Sequence, residues 1–302
     1  MCLLVNFIIF LHYIYKMQKL QKQTLGHMSP PTHNAHTITK EKIFIEKPHS
    51  IIKKINYFDF MKNHITSDKD YTHTSFIGGK CKIDDNELDL FYELYAQELE
   101  HKIMHITEKH KDANGPIIID FDFKYPKKIK SPLTLKVITN LINNINDVVK
   151  QSFLGSEDFT CIVTKRSAPY LDQKSGKYKD GIHIMFPNIV TSYCYQYALR
   201  TKYLKIMEND IANVLKNCDA DDKKLESIYD KSVIEDNNWF LYMSTKPNIS
   251  PYLIHKVYNS KINIDDMNLF DIIKLMSIRN KVRVSTKSNH YDELMMGHYN
   301  EK

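Results

Sequence analysis

Cysteine is scarce in this chain and scattered: Cys2, Cys81, Cys161, Cys194 and Cys218 lie far apart with no CxxC pair. That spacing excludes a zinc-ribbon site and a disulfide framework, and fits a reducing compartment. No internal repeat or low-complexity block interrupts the 302 residues. Long hydrophobic runs are also missing, since the apolar opening CLLVNFIIFLHYIY covers 14 residues and is broken by Asn6 and His12. A run of that length is too short to span a bilayer. It lacks the basic lead and small-residue cleavage site of a secretion signal, so the expectation is a protein that is neither membrane-borne nor secreted. An upstream extension before a start at Met17 or Met28 explains it equally well. A strong charge of one sign is absent too: 42 basic against 36 acidic residues leave +6, which permits a polyanionic partner without requiring one.

What is present is a mixture of helical and strand periodicities. Residues 18–50 lack either and read as a flexible lead-in. From Asp84 the spacing of Leu88, Phe91, Tyr92, Tyr95, Leu99 and Ile103 predicts a helix, opened by an Asp84/Glu87 capping box. A second helix is expected to begin at Ser131–Pro132 and run to Phe153. The stretches 159–165 and 181–187 read as hairpin-like strands, and a helix follows Thr191 to about Leu215. ESIYDKSVI and NNWFLYMSTKP read as two more strands, Leu269 to Ile278 as a helix, and the end as a polar tail. This mixture predicts an α+β fold rather than a doubly wound parallel sheet. The expected organisation is an N-terminal extension over 1–65, a catalytic domain over 66–260, and the start of a helical linker over 261–302.

Three elements carry chemistry. In PIIIDFDFKYP, strand alternation puts Ile117, Ile119, Phe121 and Phe123 on one face and Asp120 and Asp122 on the other, their Cα atoms about 6.6 Å apart. Two carboxylates converging from one face repel unless a cation lies between them, and Mg2+ or Mn2+ takes oxygen ligands in such a cup. A half-exposed strand with solvated acids is the plainer alternative for a lone DxD. In KDGIHIMFP, His183 leaves the strand opposite Ile182, Ile184 and Phe186, with Gly181 two residues earlier and Lys179 four earlier. Imidazole and ammonium together suit a triphosphate. In IYDKSVIEDNNWFLYMSTKP, Asp230 supplies a third carboxylate at the outward position of a strand, and Lys246 a further cation. An ordinary hairpin with surface charges and Trp239 in the core would look the same.

In this order the three elements resemble the archaeo-eukaryotic primase superfamily, whose pattern is an hhhDhD strand, a small-x-His strand and a strand-borne aspartate. More closely, THTSFIGGK (72–80), PIIIDFDFKYP, KDGIHIMFP, YDKSVI with NNWFLYMSTKP, and LMSIRNK (275–281) resemble the primase domain of primase-helicases of large nucleocytoplasmic DNA viruses. The resemblance spans about residues 70–281. It implies an RRM-like catalytic sheet beside a smaller α/β portion, with the active site in the groove between. It implies that Asp120, Asp122 and Asp230 bind Mg2+ or Mn2+ with no zinc, and that His183, Lys179 and Lys246 contact the incoming nucleotide's phosphates.

The implied activity is two-metal, template-directed nucleotidyl transfer from nucleoside triphosphates, making primers on single-stranded DNA. The implied location is a viral replication factory in host cytoplasm. Many superfamily members carry serine where this chain has Gly181, and the viral pattern favours glycine where it has Met243. The sequence holds no GxxxxGK[ST] nucleotide-binding loop, so the expectation is either a separately encoded superfamily 3 helicase as partner or a truncated, catalytically impaired product. A non-catalytic nucleic-acid-binding scaffold and a metal-dependent nuclease are the competing readings.

Overall fold

The computed structural model describes residues 55–154, 157–261, 263–280 and 285–300. The 14-residue apolar opening, the alternative starts and the 18–50 lead-in lie outside the described residues. The unit described here, Tyr57–Lys302, is α+β, as expected. It holds two antiparallel sheets.

The first unit of structure in the chain is a short helix α1 (Tyr57–Asn63), followed by β1 (His73–Ser75), β2 (Gly79–Cys81), helix α2 (Leu88–Leu99) and β3 (Ile106–Glu108). With β8 (Trp239–Phe240) these strands form a four-stranded sheet in the order β2-β1-β3-β8. Helix α2 buries Phe91, Tyr92 and Tyr95, the stripe its periodicity announced, and the Phe91 ring meets the His73 ring at 4.8 Å. The Asp84/Glu87 box does not form through side chains; a 3-10 turn over Asp85–Glu87 leads into α2, and the Asp84 carbonyl accepts from the Glu87 amide. The helix ends at Leu99 and leaves Ile103 half-exposed beyond it.

The second sheet carries the long strand β4 (Asn114–Tyr125), then helix α3 (Leu135–Gln151), β5 (Cys161–Lys165), β6 (Tyr170–Asp172), β7 (Lys177–Ser192), helix α4 (Tyr193–Leu215) and, later, β9 (Leu253–Tyr258). The order is β4-β7-β5-β9, with β6 added on β7. The strand–helix–strand–strand–strand–helix run from β4 to α4, with β6 a short addition on β7, is the RRM-like part. Ile138, Leu141, Ile142, Ile145 and Val149 make the apolar stripe of α3 and are fully buried with Ile117, Ile119, Phe121 and Phe123 of β4. Each such side chain contributes about 1.5–3 kcal/mol by burial. The helix starts later than Ser131 because Thr134 caps it, accepting from the Val137 amide at 3.4 Å, while the Ser131 hydroxyl donates to Asp180 instead. Ser192 caps α4, its hydroxyl accepting from the Tyr195 amide at 3.3 Å.

Two strand expectations fail. ESIYDKSVI holds a helical turn α5 (Leu225–Ile228) and then one bridge, Phe121 to Tyr229. Its β-branched composition reads as strand, but Asp230 accepts from the Ser232 amide at 2.9 Å and hydroxyl at 2.7 Å, an Asx turn that ends extension at once. NNWFLYMSTKP is extended only at Trp239–Phe240, because Met243 turns the chain with φ 63°. Left-handed backbone disfavours any residue with a Cβ, and this is the position at which the viral pattern favours glycine. At the C-terminal side, α6 (Leu269–Leu275) packs on α2, and the polar tail forms a helix, α7 (Asn289–Asn300), packed on α4 with Tyr291 stacked against Tyr195 at 4.7 Å.

Candidate active site

Residues directly opposite in an antiparallel ladder point to the same face. The β4–β7 register pairs Asp120 with His183, Asp122 with Gly181 and Lys124 with Lys179. One sheet face therefore carries all of these, while the partners Phe121, Phe123 and Ile182 enter the core on the other. The imidazole Nε2 of His183 lies 3.6 Å from Asp120 Oδ1. Asp230 arrives by a different route: its backbone amide donates to the Asp120 carbonyl at 3.0 Å, so the third carboxylate is registered on the main chain of the first.

Gly181 is there for space. A Cβ at this position would sit 2.3 Å from the Phe121 carbonyl oxygen, 3.2 Å from Asp122 Oδ1 and 3.3 Å from the Tyr252 hydroxyl. A serine in its place, as in many superfamily members, would require the β4–β7 ladder to shift.

Burial and mutual repulsion set the electrostatics. Desolvation, then the charges of Asp122 and Asp230, push the Asp120 carboxyl well above the usual range, against a smaller pull from Arg166 and Lys179. Asp122 is raised in the same way, with Lys179 the largest opposing charge. His183 is driven well below the ordinary imidazole value by burial and by the Arg166 charge, so at neutral pH it is uncharged.

The histidine sits in an aromatic box. Tyr252 stacks on it with centroids 3.7 Å apart, Trp239 lies at 4.6 Å, and Phe240 at 6.5 Å. Arg166, one residue past β5, closes the back: its guanidinium lies 3.9 Å over the Tyr252 ring and donates to Thr245 Oγ1 at 3.1 Å and to the Ser250 carbonyl. Neither Arg166 nor Tyr252 stood out in the sequence. A lone arginine at a strand end was the only available signal, and Tyr252 follows Pro251 in a segment without periodicity.

The two predicted lysines are placed differently. Lys179 is on the site face, with its ammonium 3.8 Å from Asp172 on β6. Lys246 is exposed, one residue after a segment pinned by Thr245 N to the Met104 carbonyl at 3.0 Å, and its charge acts on Asp172.

The residues present fit a hard divalent ion. Their donors are all oxygen, Asp120 Oδ1 is buried without a hydrogen-bond partner, and the charges of Asp122 and Asp230 push the Asp120 carboxyl up. Among the described residues no three His, Cys, Asp or Glu side chains already close into a metal cage. One oxygen of Asp230 is committed to Ser232.

The two outlying motifs meet away from this face. Glu108 on β3 is fully buried and accepts from the Tyr92 hydroxyl at 3.0 Å, the Ser277 hydroxyl at 2.7 Å and the Ile278 amide at 3.0 Å, with His73 Nε2 at 3.5 Å. THTSFIGGK and LMSIRNK thus brace the sheet that presents Trp239 and Phe240 to His183.

Residues 72–258 match the family described as the N-terminal AEP domain of C962R protein, AEP being archaeo-eukaryotic primase. The chain belongs to this family. It is also 32% identical over 233 residues to a protein of Acanthamoeba polyphaga mimivirus named "Putative helicase L207/L206", a match covering 72% of this chain and 24% of that protein. The chain thus spans about a quarter of the length of that relative. Together these matches place it with the primase domains of giant-virus primase-helicases and give it a primase-type function in replication.

Proposed function

We propose that this domain is a primase-polymerase that synthesises primers on single-stranded DNA by template-directed nucleotidyl transfer. The observation that carries the reading is the orphaned, buried Oδ1 of Asp120, which feels the charges of two further carboxylates and lies opposite a neutral histidine. Asp120, Asp122 and Asp230 would hold Mg2+ or Mn2+, which when bound lowers the pKa of the attacking 3′-hydroxyl and neutralises charge on the triphosphate. His183, being uncharged, offers an N–H to a phosphate oxygen without competing for the carboxylates. Lys179 contributes a cation on the same face, and Lys246 one at its rim. Arg166 keeps the Tyr252 ring against the imidazole and fixes the segment that leads to Lys246. The 3′-oxygen attacks the α-phosphorus as the bond to the pyrophosphate oxygen breaks; the hydroxyl proton leaves to solvent.

The name of the mimivirus relative supports a helicase as the working partner. The place of action in this reading is a viral replication factory in host cytoplasm. The test is incorporation of labelled nucleotides on a primer-free single-stranded template with magnesium or manganese. Synthesis by the wild type and none by Asp120→Asn/Asp122→Asn is the expected result. Synthesis retained by the double variant would remove these residues from the chemistry.

A further inference from the structure

The four-stranded sheet has a second face, of which the site described above uses only Phe240. Its register places Lys80, Thr74, Thr107 and Phe240 side by side across β2, β1, β3 and β8. Asn238 ties the two threonines together, its amide donating to Thr74 Oγ1 at 3.1 Å and Thr107 Oγ1 at 3.2 Å. At the edge stands Phe76, 46% exposed, and next to it Ile77, 77% exposed. A soluble hairpin tip gains nothing from two large apolar side chains in water. The tip is nevertheless built to hold them: Ser75 Oγ accepts from the amides of Ile77 at 3.3 Å and Gly78 at 3.0 Å, and Gly79 supplies the left-handed residue with φ 82°.

The Phe76 ring lies nearly parallel to Phe240, 5.9 Å away at 17°, and Phe240 lies nearly parallel to His183, 6.5 Å away at 21°. Three rings therefore step from solvent to the candidate catalytic histidine. Beside them Lys80 and Lys109 each sit 4.7 Å from the Tyr71 ring centre.

We propose that this face is the bed of the single-stranded template, with Phe76 and Phe240 as the stacking platform for a template base next to the site of transfer. The inference rests on the primase-polymerase reading. Aromatic faces accept any base by stacking, and flanking lysines track the backbone, which is the chemistry of a strand whose sequence varies. Thr74, partly exposed and opposite Lys80 in the register, adds a hydroxyl for sugar or phosphate. The incoming triphosphate is the other candidate occupant, but Lys179 and Lys246 both act on Asp172, at the β6 end of the site, whereas the platform lies at β8.

Fluorescence anisotropy of the full chain with a labelled oligo(dT) and with an abasic strand of the same length tests this. Phe76→Ala should weaken oligo(dT) binding by about 5- to 150-fold, the range of one base–aromatic stack, and leave abasic-strand binding unchanged. Phe76→Trp should restore it. Lys80→Ala should weaken both strands alike and make the salt dependence shallower by about 0.7 in slope. Unchanged oligo(dT) affinity in Phe76→Ala would overturn the proposal, as would equal loss on the abasic strand. A raised KM for nucleotide with unaltered template binding would assign the platform to the incoming base instead. Asp120→Asn binds template like the wild type if only the platform assignment is at stake, so loss of synthesis there bears on the enzyme reading alone.

Discussion

Asp120 and His183 face each other across the β4–β7 ladder with Nε2 3.6 Å from Oδ1, too long for a hydrogen bond, and burial moves the two groups toward neutrality from opposite directions. In the proposed reading a cation would offset that burial. The burial has a cost for the metal-free fold.

The first prediction follows from the sign of that cost. An aspartate whose folded pKa is raised keeps its proton where the unfolded residue, near about 3.9, has lost it. Its contribution to stability is full below that value and is lost progressively as pH rises toward and through the folded pKa, so the raised carboxyl lowers the stability of the metal-free fold at neutral pH. Asp120→Asn should therefore stabilise the metal-free domain by on the order of 1 kcal/mol, roughly 2–4 °C in Tm. Manganese at a hundredfold excess over its Kd should raise the wild-type stability by about 2.7 kcal/mol and leave the variant nearly unmoved. Differential scanning fluorimetry with and without metal measures both.

His183 gives a prediction of opposite sign. Its depressed pKa means that its contribution is present above the unfolded value of about 6.5 and is lost as pH falls toward the folded one. Long-range proton–nitrogen NMR of the histidine rings should find His183 still neutral at pH 6, and His183→Gln should flatten the loss of stability below pH 6.5.

Replacing Gly181 by alanine should cost about 1–3 kcal/mol, because the new methyl meets a backbone carbonyl and not a side chain that can rotate away. Chemical denaturation would show the loss, and primer synthesis should fall with it, since the displaced strand carries Asp122's neighbours.

Glu108 tests the brace. Removing a carboxylate that three donors address leaves those donors buried and unpaired, so Glu108→Ala should cost about 3 kcal/mol or more in urea unfolding. Glu108→Gln, which keeps two of the acceptor roles on one oxygen, should recover part of it.

Strand alternation was enough to read which face of β4 and β7 carries Asp120, Asp122 and His183, because a period of two assigns every side chain once one apolar face is known. The stripes of α2 and α3 were legible for the same reason at helical period. Asp230 was placed in the wrong element: an Asx turn is decided by one side chain, and β-branched neighbours outweigh it in any window. Arg166 and Tyr252 were invisible because their role is tertiary. Nothing near them in sequence marks a guanidinium that stacks on a ring 86 positions later in the chain's path through β9's approach. The left-handed turn at Met243 was marked only by departure from a family pattern, since methionine itself carries no turn signal.

The β4–β7 ladder runs from Asn114–Ser192 to Tyr125–Tyr178 with a single bulge, and it carries Asp120, Asp122, Lys179 and His183 on two strands alone. Local opening begins where contacts are sparse and ends at such ladders. The amides flanking the chemistry should then be among the slowest in the molecule to exchange with deuterium. Partial melting would strip away Lys246 and the Asp230 turn while four of the six groups stayed in register, so a loosened molecule would keep the scaffold of its site and regain function without rebuilding it.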